Sequence, residues 1–351
     1  MTTIYNVAEV AKVSIKTVSR VMNEESKVRP DTKQRVIDVM KSLDYYPSIA
    51  ARTMVTQKSG LIGLITSAIT SASKVPELAG LPSIDLVKGI HSVIEDSGKT
   101  LMIADTGGVL GHSDNLAQTF REHRVEGMIY VSDFSQSIKA PASFTDLPSV
   151  LVNCFDSTGK IPAVAPNDEI GGYKMAEVAI KNGHRHIGFL SLPTERVAGK
   201  DRQNGFRRAH NEMGIPLNED LIVPCSKGGA NFENENSLMT EGLNKVLSFK
   251  NKPTAICCGN DRMAMNLYKL LYQRGYRIPE DISVIGFDNY TMISELLEPG
   301  LTTVELPYTE IGRKGGEKLL NLIQYDDEEE SKNFLEMVPG EIVWRNSLKQ
   351  I

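Results

Sequence analysis

From Gly60 onward, short apolar runs alternate with longer segments in which apolar residues recur at helical spacing. Uninterrupted short apolar runs are typical of parallel strands buried on both faces, and the amphipathic segments between them are typical of covering helices. The predicted strands are 61–65, 100–105, 127–132, 149–154, 187–192, 221–225, 254–260 and 282–288. The predicted helices are 84–97, 113–123, 169–182, 199–213, 234–249, 262–275 and 309–324. This alternation indicates an α/β fold with two doubly wound parallel-sheet subdomains rather than one large sheet.

The first sixty residues lack such strands and instead predict an all-α module of short helices. Asn6 is expected to cap a first helix, VAEVAK. Ser14 is expected to cap a second helix, IKTVSRVM, with its side chain accepting from the amide of Thr17. A third helix is expected from Pro30, because proline favours the first turn of a helix. The chain of 351 residues therefore divides into a small helical head and a larger α/β domain.

The overall charge of −5 conceals an asymmetry between these two parts. Residues 1–60 contain ten Lys or Arg and six Asp or Glu, a net charge of +4, and the remainder carries −9. A basic head on an acidic protein can bind nucleic acid through that head. Many helical surfaces reach this charge without such a role, so charge alone does not decide the function.

The second helix of the head has two chemically different faces. Ile15, Val18 and Met22 are expected to form a buried apolar stripe. The opposite face carries Lys16, Thr17 and Arg20. Lysine and arginine bind guanine edges or phosphates, and threonine binds bases or backbone, so this face suits the major groove of DNA. An ordinary amphipathic helix has the same pattern, and the helix alone leaves both interpretations open.

A series of motifs in a fixed order carries a more specific signal. They are VAEVA, VS, TVSRVMN, VRPDT, a tyrosine before Pro47, and the Ala-Arg pair at 51–52. Together they resemble the helix-turn-helix DNA-binding domain of the lactose-repressor/galactose-repressor family, with SIKTVSRV as the recognition helix. The DNA-binding residues that the resemblance implies are Ser14, Ile15, Lys16, Thr17, Ser19, Arg20, Asn23, Arg52 and Met54. Lys12 departs from the family, which usually has glycine there, and a left-handed turn residue with a Cβ costs about 1 kcal/mol.

Residues 47–60 join the two parts. Ser48 could cap a helix, IAARTM, which is too short to be stable alone in water. The resemblance implies that this segment is a hinge helix that folds on DNA and inserts Met54 into the minor groove as a wedge. The alternative is a linker in which Met54 only packs locally.

The resemblance continues in the α/β domain through GHRHIGFL, DRQNGF, CGNDRMAM, RGYRIPEDISVIGFDN, PGLTTVELP and IGRKGGEKL. It implies a periplasmic-binding-protein-like effector domain, with a ligand cleft between two subdomains that the chain crosses three times. The predicted domains are the head (1–46), the hinge and linker (47–60), and the effector and dimerisation domain (61–351). The predicted subdomains are 61–161 with 291–323, and 162–290 with 324–351.

Open α/β sheets bind ligands at the carboxyl ends of their strands. Polar residues at those ends are Asp105, Ser132, Asp133, Asn153, Asn260, Asp261 and Asp288, and each could equally be a turn or cap residue; Asp261 is expected to cap its helix. By resemblance, Arg202, Asn260 and Asp288 contact the effector, with Arg196, Asn153 and Tyr308 near the same cleft. Carboxylate, amide and guanidinium groups together suit a sugar, a mono- or disaccharide. The motifs look most like those of sucrose-operon repressors.

Several other functions find no support in the sequence. His184 and His186 lack acidic or cysteine partners nearby, so no metal site is expected. There is no phosphate-binding glycine motif, nucleophile elbow or HExxH motif, so neither a cofactor nor an enzyme activity is expected. The four cysteines suggest no disulfide framework. With no apolar segment long enough for a membrane helix and no signal segment, a cytoplasmic protein that does not bind membranes is expected.

The main hypothesis is therefore a homodimeric transcription regulator, most simply a repressor of a carbohydrate operon, that binds a palindromic double-stranded DNA operator. The chain ends VWRNSLKQI without a leucine heptad, which favours a dimer over a tetramer. The sequence leaves open whether the effector releases or promotes DNA binding; release by a sugar is the expectation. The alternatives are a solute-binding protein of the same fold and an enzyme on this scaffold.

Overall fold

The computed structural model describes residues 2–22, 27–46, 58–67, 83–107, 110–225, 232–325 and 334–351. The chain forms two compact units, residues 1–60 and residues 61–351. In the smaller unit the described residues form three helices: α1 (Ile4–Ala11), α2 (Ile15–Met22) and α3 (Pro30–Ser42). Their shared core consists of the buried side chains of Val7, Ala8, Ala11, Val18, Val21 and Val36.

Two expectations for the head are wrong. α1 begins two residues before Asn6, because Thr3 is its N-cap and the Asn6 side chain reaches back to accept from the Thr3 amide at 2.9 Å. Ile15 is 41% exposed and does not belong to the buried stripe of α2. It is the first residue of its helix, so its side chain lies beyond the α1–α3 core that covers Val18 and Val21.

The larger unit contains strands and helices in alternation. Its strands are β1 (Leu61–Thr66), β2 (Thr100–Asp105), β3 (Gly127–Val131), β4 (Ser137–Ile138), β5 (Ser149–Val152), β6 (Phe155–Asp156), β7 (Ala163–Pro166), β8 (Ile187–Ser191), β9 (Ile222–Pro224), β10 (Ala255–Cys258), β11 (Ser283–Asp288), β12 (Thr302–Glu305), β13 (Leu335–Val338) and β14 (Ile342–Val343). Its α-helices are α4 (Ser83–Asp96), α5 (Ser113–Glu122), α6 (Asp168–Lys181), α7 (Val197–Glu212), α8 (Phe232–Leu247), α9 (Asp261–Gln273), α10 (Thr291–Ser294) and α11 (Tyr308–Gln324). Short 3₁₀ turns lie at Leu110–His112, Ala142–Thr145 and Glu219–Leu221.

Twelve of these strands form two six-stranded sheets, as the alternating pattern predicts, and β4 and β6 form a separate two-stranded parallel sheet. The first has the order β13-β7-β5-β3-β1-β2, and all its strand pairs are parallel. The second has the order β14-β12-β11-β10-β8-β9, and only β14 runs antiparallel to its neighbour. Each sheet is the centre of one subdomain, with helices packed against it.

The chain crosses between the sheets at positions different from those expected. β7 belongs to the first sheet, so the first crossing follows Pro166 rather than residue 161. β12 pairs with β11 in the second sheet, so the second crossing follows Glu305 rather than residue 290. β13 returns to the first sheet, and the third crossing therefore follows Val338 rather than residue 323. β12 and β13 mix polar with apolar residues, and β7 is apolar but only four residues long and ends in proline, so periodicity did not assign these strands to a sheet.

Glycines bring α6 and α7 unusually close together, and this contact sets the geometry described below. A Cβ on Gly172 of α6 would lie 2.1 Å from the carbonyl oxygen of Arg202, and a Cβ on Gly205 of α7 would lie 1.9 Å from that of Glu169. Only glycine permits this backbone approach. It brings Asp168, at the start of α6, within hydrogen-bonding distance of the Arg202 side chain.

Candidate functional site

The N-terminus of α2 is fixed by Ser14, as predicted. Its Oγ accepts from the Thr17 amide at 3.1 Å and lies 2.9 Å from the Thr17 hydroxyl oxygen. Ser14, Ile15 and Lys16 are exposed, and Thr17, Ser19 and Arg20 are partly exposed. The predicted DNA-reading face of this helix is therefore on the surface of the head, while Val18 and Val21 are in its core. Asn23, Arg52 and Met54 lie outside the described residues.

Lys12, in the turn between α1 and α2, has a backbone conformation that is unfavourable for a residue with a side chain. Lys12 has φ 52° and ψ 49°, the left-handed conformation that the family's glycine predicts. The Val13 amide donates to the Ala8 carbonyl oxygen at 3.0 Å, so the turn keeps the hydrogen bond typical of a left-handed helix C-terminus. The turn is therefore strained by the lysine but not rearranged.

Replacing Lys12 with glycine is expected to stabilise the head by about 0.5–1 kcal/mol, because glycine adopts this conformation without steric cost. Hydrogen–deuterium exchange of the α1 and α2 amides in the full chain, without DNA, would measure the effect as slower exchange. Lys16→Gly is the matched control, since it places glycine inside a right-handed helix and should accelerate exchange. Faster exchange in Lys12→Gly would show that the turn is not strained.

In the larger unit, a cleft of about 1090 Å³ lies between the two subdomains. All six residues that the sequence indicated as effector contacts line it: Asn153, Arg196, Arg202, Asn260, Asp288 and Tyr308. They come from separate parts of the chain, and all but Arg202, which lies within α7, are at strand ends or helix starts, as expected for open α/β sheets. Asp133, another strand-end residue, also lines the cleft, and Asp105 does not belong to its wall.

Arg202 is the most constrained of these side chains. It is 5% exposed, and its Nε donates to Asp168 Oδ1 at 2.8 Å while its Nη1 donates to the Gly259 carbonyl oxygen. Its guanidinium carbon lies 3.6 Å from the centroid of the Phe287 ring. Arg202 is therefore a fixed donor whose charge is largely balanced within the protein, rather than a mobile cation available to a charged ligand.

Asp288 ends β11 at the wall of the cleft. Its Oδ1 lies 3.7 Å from Arg202 Nη1, and its side chain is 17% exposed. The pKa of Asp288 is raised to about 8, chiefly by burial and also by the nearby Asp261 and Asp168 carboxylates, while Arg202 opposes the shift. A protonated Asp288 can donate as well as accept a hydrogen bond, which suits a ligand hydroxyl group.

Asn260 and Asn153 each have one polar atom already committed. The Asn260 side-chain oxygen caps α9 by accepting from the Met263 amide at 2.8 Å. Asn153 has a left-handed φ of 59°, and its Nδ2 donates to the Ser132 carbonyl oxygen at 2.9 Å. The expectation that Asp261 caps α9 is wrong, since Asn260 has that role and Asp261 is the first helical residue, with no exposed surface.

Among the described residues, Arg196 and Tyr308 each contact both subdomains at the cleft. The guanidinium of Arg196, from the second subdomain, lies 4.6 Å from the centroid of the Phe134 ring in the first. Burial lowers the pKa of Arg196. Tyr308 starts α11 just after the second crossing, and its side chain packs against the cores of both subdomains. Burial raises the pKa of Tyr308 well above its ordinary value.

Sequence reasoning missed Asp168, Phe134 and Tyr290 as members or supports of this site. Asp168 follows Asn167, which caps α6 by accepting from the Ile170 amide, so the pair looks like a simple helix start. Phe134 lies at the end of β3 beside Asp133, and polarity marks Asp133 but not Phe134. The position of Phe134 just after a strand is the sequence feature from which it could have been predicted. No local sequence pattern indicates that Asp168 is the partner of Arg202.

Other features of the larger unit are structural. All four cysteines are free and buried, and burial raises the thiol pKa of Cys154, Cys257 and Cys258. His184 is hydrogen-bonded to Thr254 Oγ1 at 2.8 Å and to the Lys349 carbonyl oxygen at 3.1 Å. Within the described ranges, no group of His, Cys, Asp or Glu side chains is arranged to hold a metal ion. No helix in the described part of the chain is long and apolar enough to cross a membrane.

Comparison with known proteins gives the family. Residues 3–48 match the model of bacterial regulatory proteins of the lacI family, and residues 176–348 match a periplasmic-binding-protein-like domain. The HTH-type transcriptional repressor PurR of Vibrio parahaemolyticus is 33% identical over 353 residues, covering 100% of both chains. The chain belongs to the LacI family.

Solved structures agree with this assignment. The lac repressor dimer bound to its operator and the anti-inducer ONPF is 25% identical, with a TM-score of 0.78 over 99% of each chain. The transcriptional regulator CelR in complex with cellobiose shares the fold at 23% identity, with a TM-score of 0.67 over 99% of this chain and 100% of that one. This LacI-family protein is therefore a DNA-binding transcriptional repressor with a ligand-binding effector domain, and its relatives are repressors rather than enzymes.

Proposed function

We propose that this LacI-family protein binds a palindromic operator as a homodimer in the cytoplasm and that a mono- or disaccharide in the cleft releases it from DNA. The observation that carries the effector part is the convergence of six polar or aromatic side chains, predicted from separate motifs, on one cleft. A large cleft with carboxyl, amide and guanidinium groups offers the donors and acceptors that a polyol requires.

A calorimetric panel tests the effector class. Glucose, fructose, ribose, sucrose and cellobiose are titrated into the wild type, Asp288→Ala and, as a control, Asp220→Ala. At least one sugar is expected to bind the wild type and the control equally and Asp288→Ala at least about tenfold more weakly, since truncation removes a buried hydrogen-bonding partner. If no sugar binds the wild type, the carbohydrate proposal fails.

A purine base is the second candidate. The relative's name, PurR, suggests it, and the Phe134 ring at the wall of the cleft favours it because a flat heteroaromatic ligand can stack on such a surface. Hypoxanthine and guanine therefore belong in the same panel. Binding of a purine without binding of any sugar would replace the first proposal with the second.

For DNA, we propose that Lys16, Thr17 and Arg20, with Ser14, Ile15, Ser19 and Asn23, face the major groove, and that Arg52 and Met54 act at the hinge. Met54→Ala is expected to weaken binding to a selected operator by about 1–3 kcal/mol, because the minor-groove wedge is lost. A gel-shift titration measures this, and affinity for unrelated DNA is the control that should not change. Unchanged operator affinity would leave Met54 as a locally packed linker residue.

A further inference from the structure

The chain leaves β11 through a corner that the surrounding structure must hold in place. Asp288 has φ 116° and Asn289 has φ 54°, two consecutive non-glycine residues in the region that favours glycine. Such conformations persist where neighbouring groups over-determine them, and they concentrate at ligand sites. Tyr290 then caps the four-residue helix α10. The corner therefore needs specific tethers.

Asp261 is the tether on the inner side. Its carboxylate has no exposed surface; Oδ2 accepts from the Tyr290 amide at 2.8 Å, and Oδ1 accepts from the Thr303 hydroxyl at 2.6 Å. Thr303 lies in β12, which is paired with β11. One side chain thus ties the start of α9, the corner and the neighbouring strand together.

Arg345 is the tether on the outer side. Its Nη2 donates to Asn289 Oδ1 at 3.0 Å, and its Nη1 donates to the Leu301 carbonyl oxygen at 2.9 Å. Its own amide donates to Thr302 Oγ1 at 3.0 Å, which fixes the backbone from which the side chain reaches. The guanidinium therefore binds both ends of the segment that joins the corner to β12, at Asn289 and at Leu301.

The held segment contributes much of one wall of the cleft. Asp288, Asn289, Tyr290, Thr291 and Ile293 all line it. A small rotation of the corner would withdraw Asp288 and displace the others, since they follow one another along the chain. The Tyr290 amide and the Asn289 side chain are thus two points at which this wall is held, and the Leu306 amide, which donates to the Asp288 carbonyl oxygen at 3.1 Å, is a third.

We propose that Asp261 is a positioning residue for effector binding, which keeps Asp288 at the wall of the cleft by fixing the Asp288–Tyr290 corner, with Arg345 as the second tether. The proposal rests on the cleft being the effector site. This role requires a side chain at position 261 that accepts from the Tyr290 amide. The side chain must also hydrogen-bond to the Thr303 hydroxyl, either by accepting from it or by donating to it. Asparagine meets both requirements and alanine meets neither.

Hydrogen–deuterium exchange of the full chain without any ligand tests the tether. In Asp261→Ala, exchange of the amides from 289 to 294 is expected to accelerate at least about tenfold, as for loss of a buried hydrogen bond, and Asp261→Asn should restore most of the protection. Asp156→Ala is the matched control: Asp156 is also buried and accepts from the Thr158 hydroxyl and the Ala140 and Lys160 amides, but in the first subdomain. Unchanged corner exchange in Asp261→Ala, or equal acceleration in the control, would overturn the proposal.

Calorimetry of the same variants tests whether the tether affects ligand binding. The probes are glucose, ribose, sucrose, cellobiose and hypoxanthine. A compound that binds the wild type is expected to bind Asp261→Ala at least about tenfold more weakly, and Asp261→Asn nearly as tightly as the wild type. Equal binding to Asp261→Ala would overturn the positioning role. If none of the probes binds the wild type, the proposed effector class is refuted. The hydrogen–deuterium exchange measurement then still shows whether Asp261 holds the corner in place. If Asp261→Ala does not fold, Arg345→Met removes the outer tether and is measured in the same way.

Discussion

Replacing Arg202 with alanine is expected to destabilise the effector domain by about 3–5 kcal/mol, because it leaves the buried Asp168 carboxylate without its counter-charge. Asp168 is 1% exposed and hydrogen-bonded to Arg202 Nε, and Asp288 lies 3.7 Å from Nη1. The Gly259 carbonyl oxygen also loses a donor. Urea unfolding followed by far-UV circular dichroism would show a lower midpoint and a smaller free energy of unfolding.

Arg207 provides the matched control on the same helix. It pairs with Glu219 at 3.0 Å, but both side chains are more than a third exposed, at 38% and 61%. Exposed ion pairs contribute little, so Arg207→Ala should cost no more than about 1 kcal/mol. Equal losses in the two variants would contradict the view that Arg202 is a fixed structural cation in the wall of the cleft.

Asp288→Asn is expected to change the pH dependence of stability. The folded-state pKa of Asp288 is about 8, against an ordinary 3.8, so between these pH values the unfolded chain releases a proton that the folded protein retains. Folding then takes up a proton, and the contribution of Asp288 to stability falls as pH rises from about 4 to about 8. Asparagine does not titrate and avoids this loss. The variant should therefore gain stability relative to the wild type across that range.

Differential scanning calorimetry at several pH values would measure this gain. At pH 8 the variant should unfold at a temperature at least about 2 °C higher than the wild type, corresponding to on the order of 1 kcal/mol. At pH 4 the difference should vanish or reverse. A difference that is constant with pH would show that Asp288 does not carry a raised pKa.

Periodicity was sufficient to predict most of the effector domain. All eight predicted strands and seven predicted helices are present, with ends shifted by one or two residues in most cases. Strong apolar runs such as β8 and β11 have all residues but the terminal Asp288 buried, and this is what makes them visible in a sequence. The strands β4, β6, β7, β12, β13 and β14 were missed. Each has only two to four residues, too few for a periodic pattern, so its formation depends on its pairing partner.

The six residues predicted from motifs line one cleft, but the contacts among the residues of that cleft were not predicted. Motifs located Arg202 and Asp288, but the role of Asp168 depends on two glycines that bring α6 and α7 together, which only three-dimensional packing reveals. Likewise, Asp261 resembles a helix cap in sequence, and its burial follows from the pairing of β11 with β12. Long-range contacts of this kind leave no local pattern.

The central claim is that the head of this LacI-family repressor binds a specific DNA sequence. The most direct test first uses the full chain to select DNA from a random library, and then measures binding of the selected DNA by fluorescence anisotropy. The expected result is a palindromic selected sequence, bound at least about 10³-fold more tightly than an unrelated duplex, with an affinity that falls steeply as salt increases. Equal affinity for the selected and unrelated duplexes would contradict the claim.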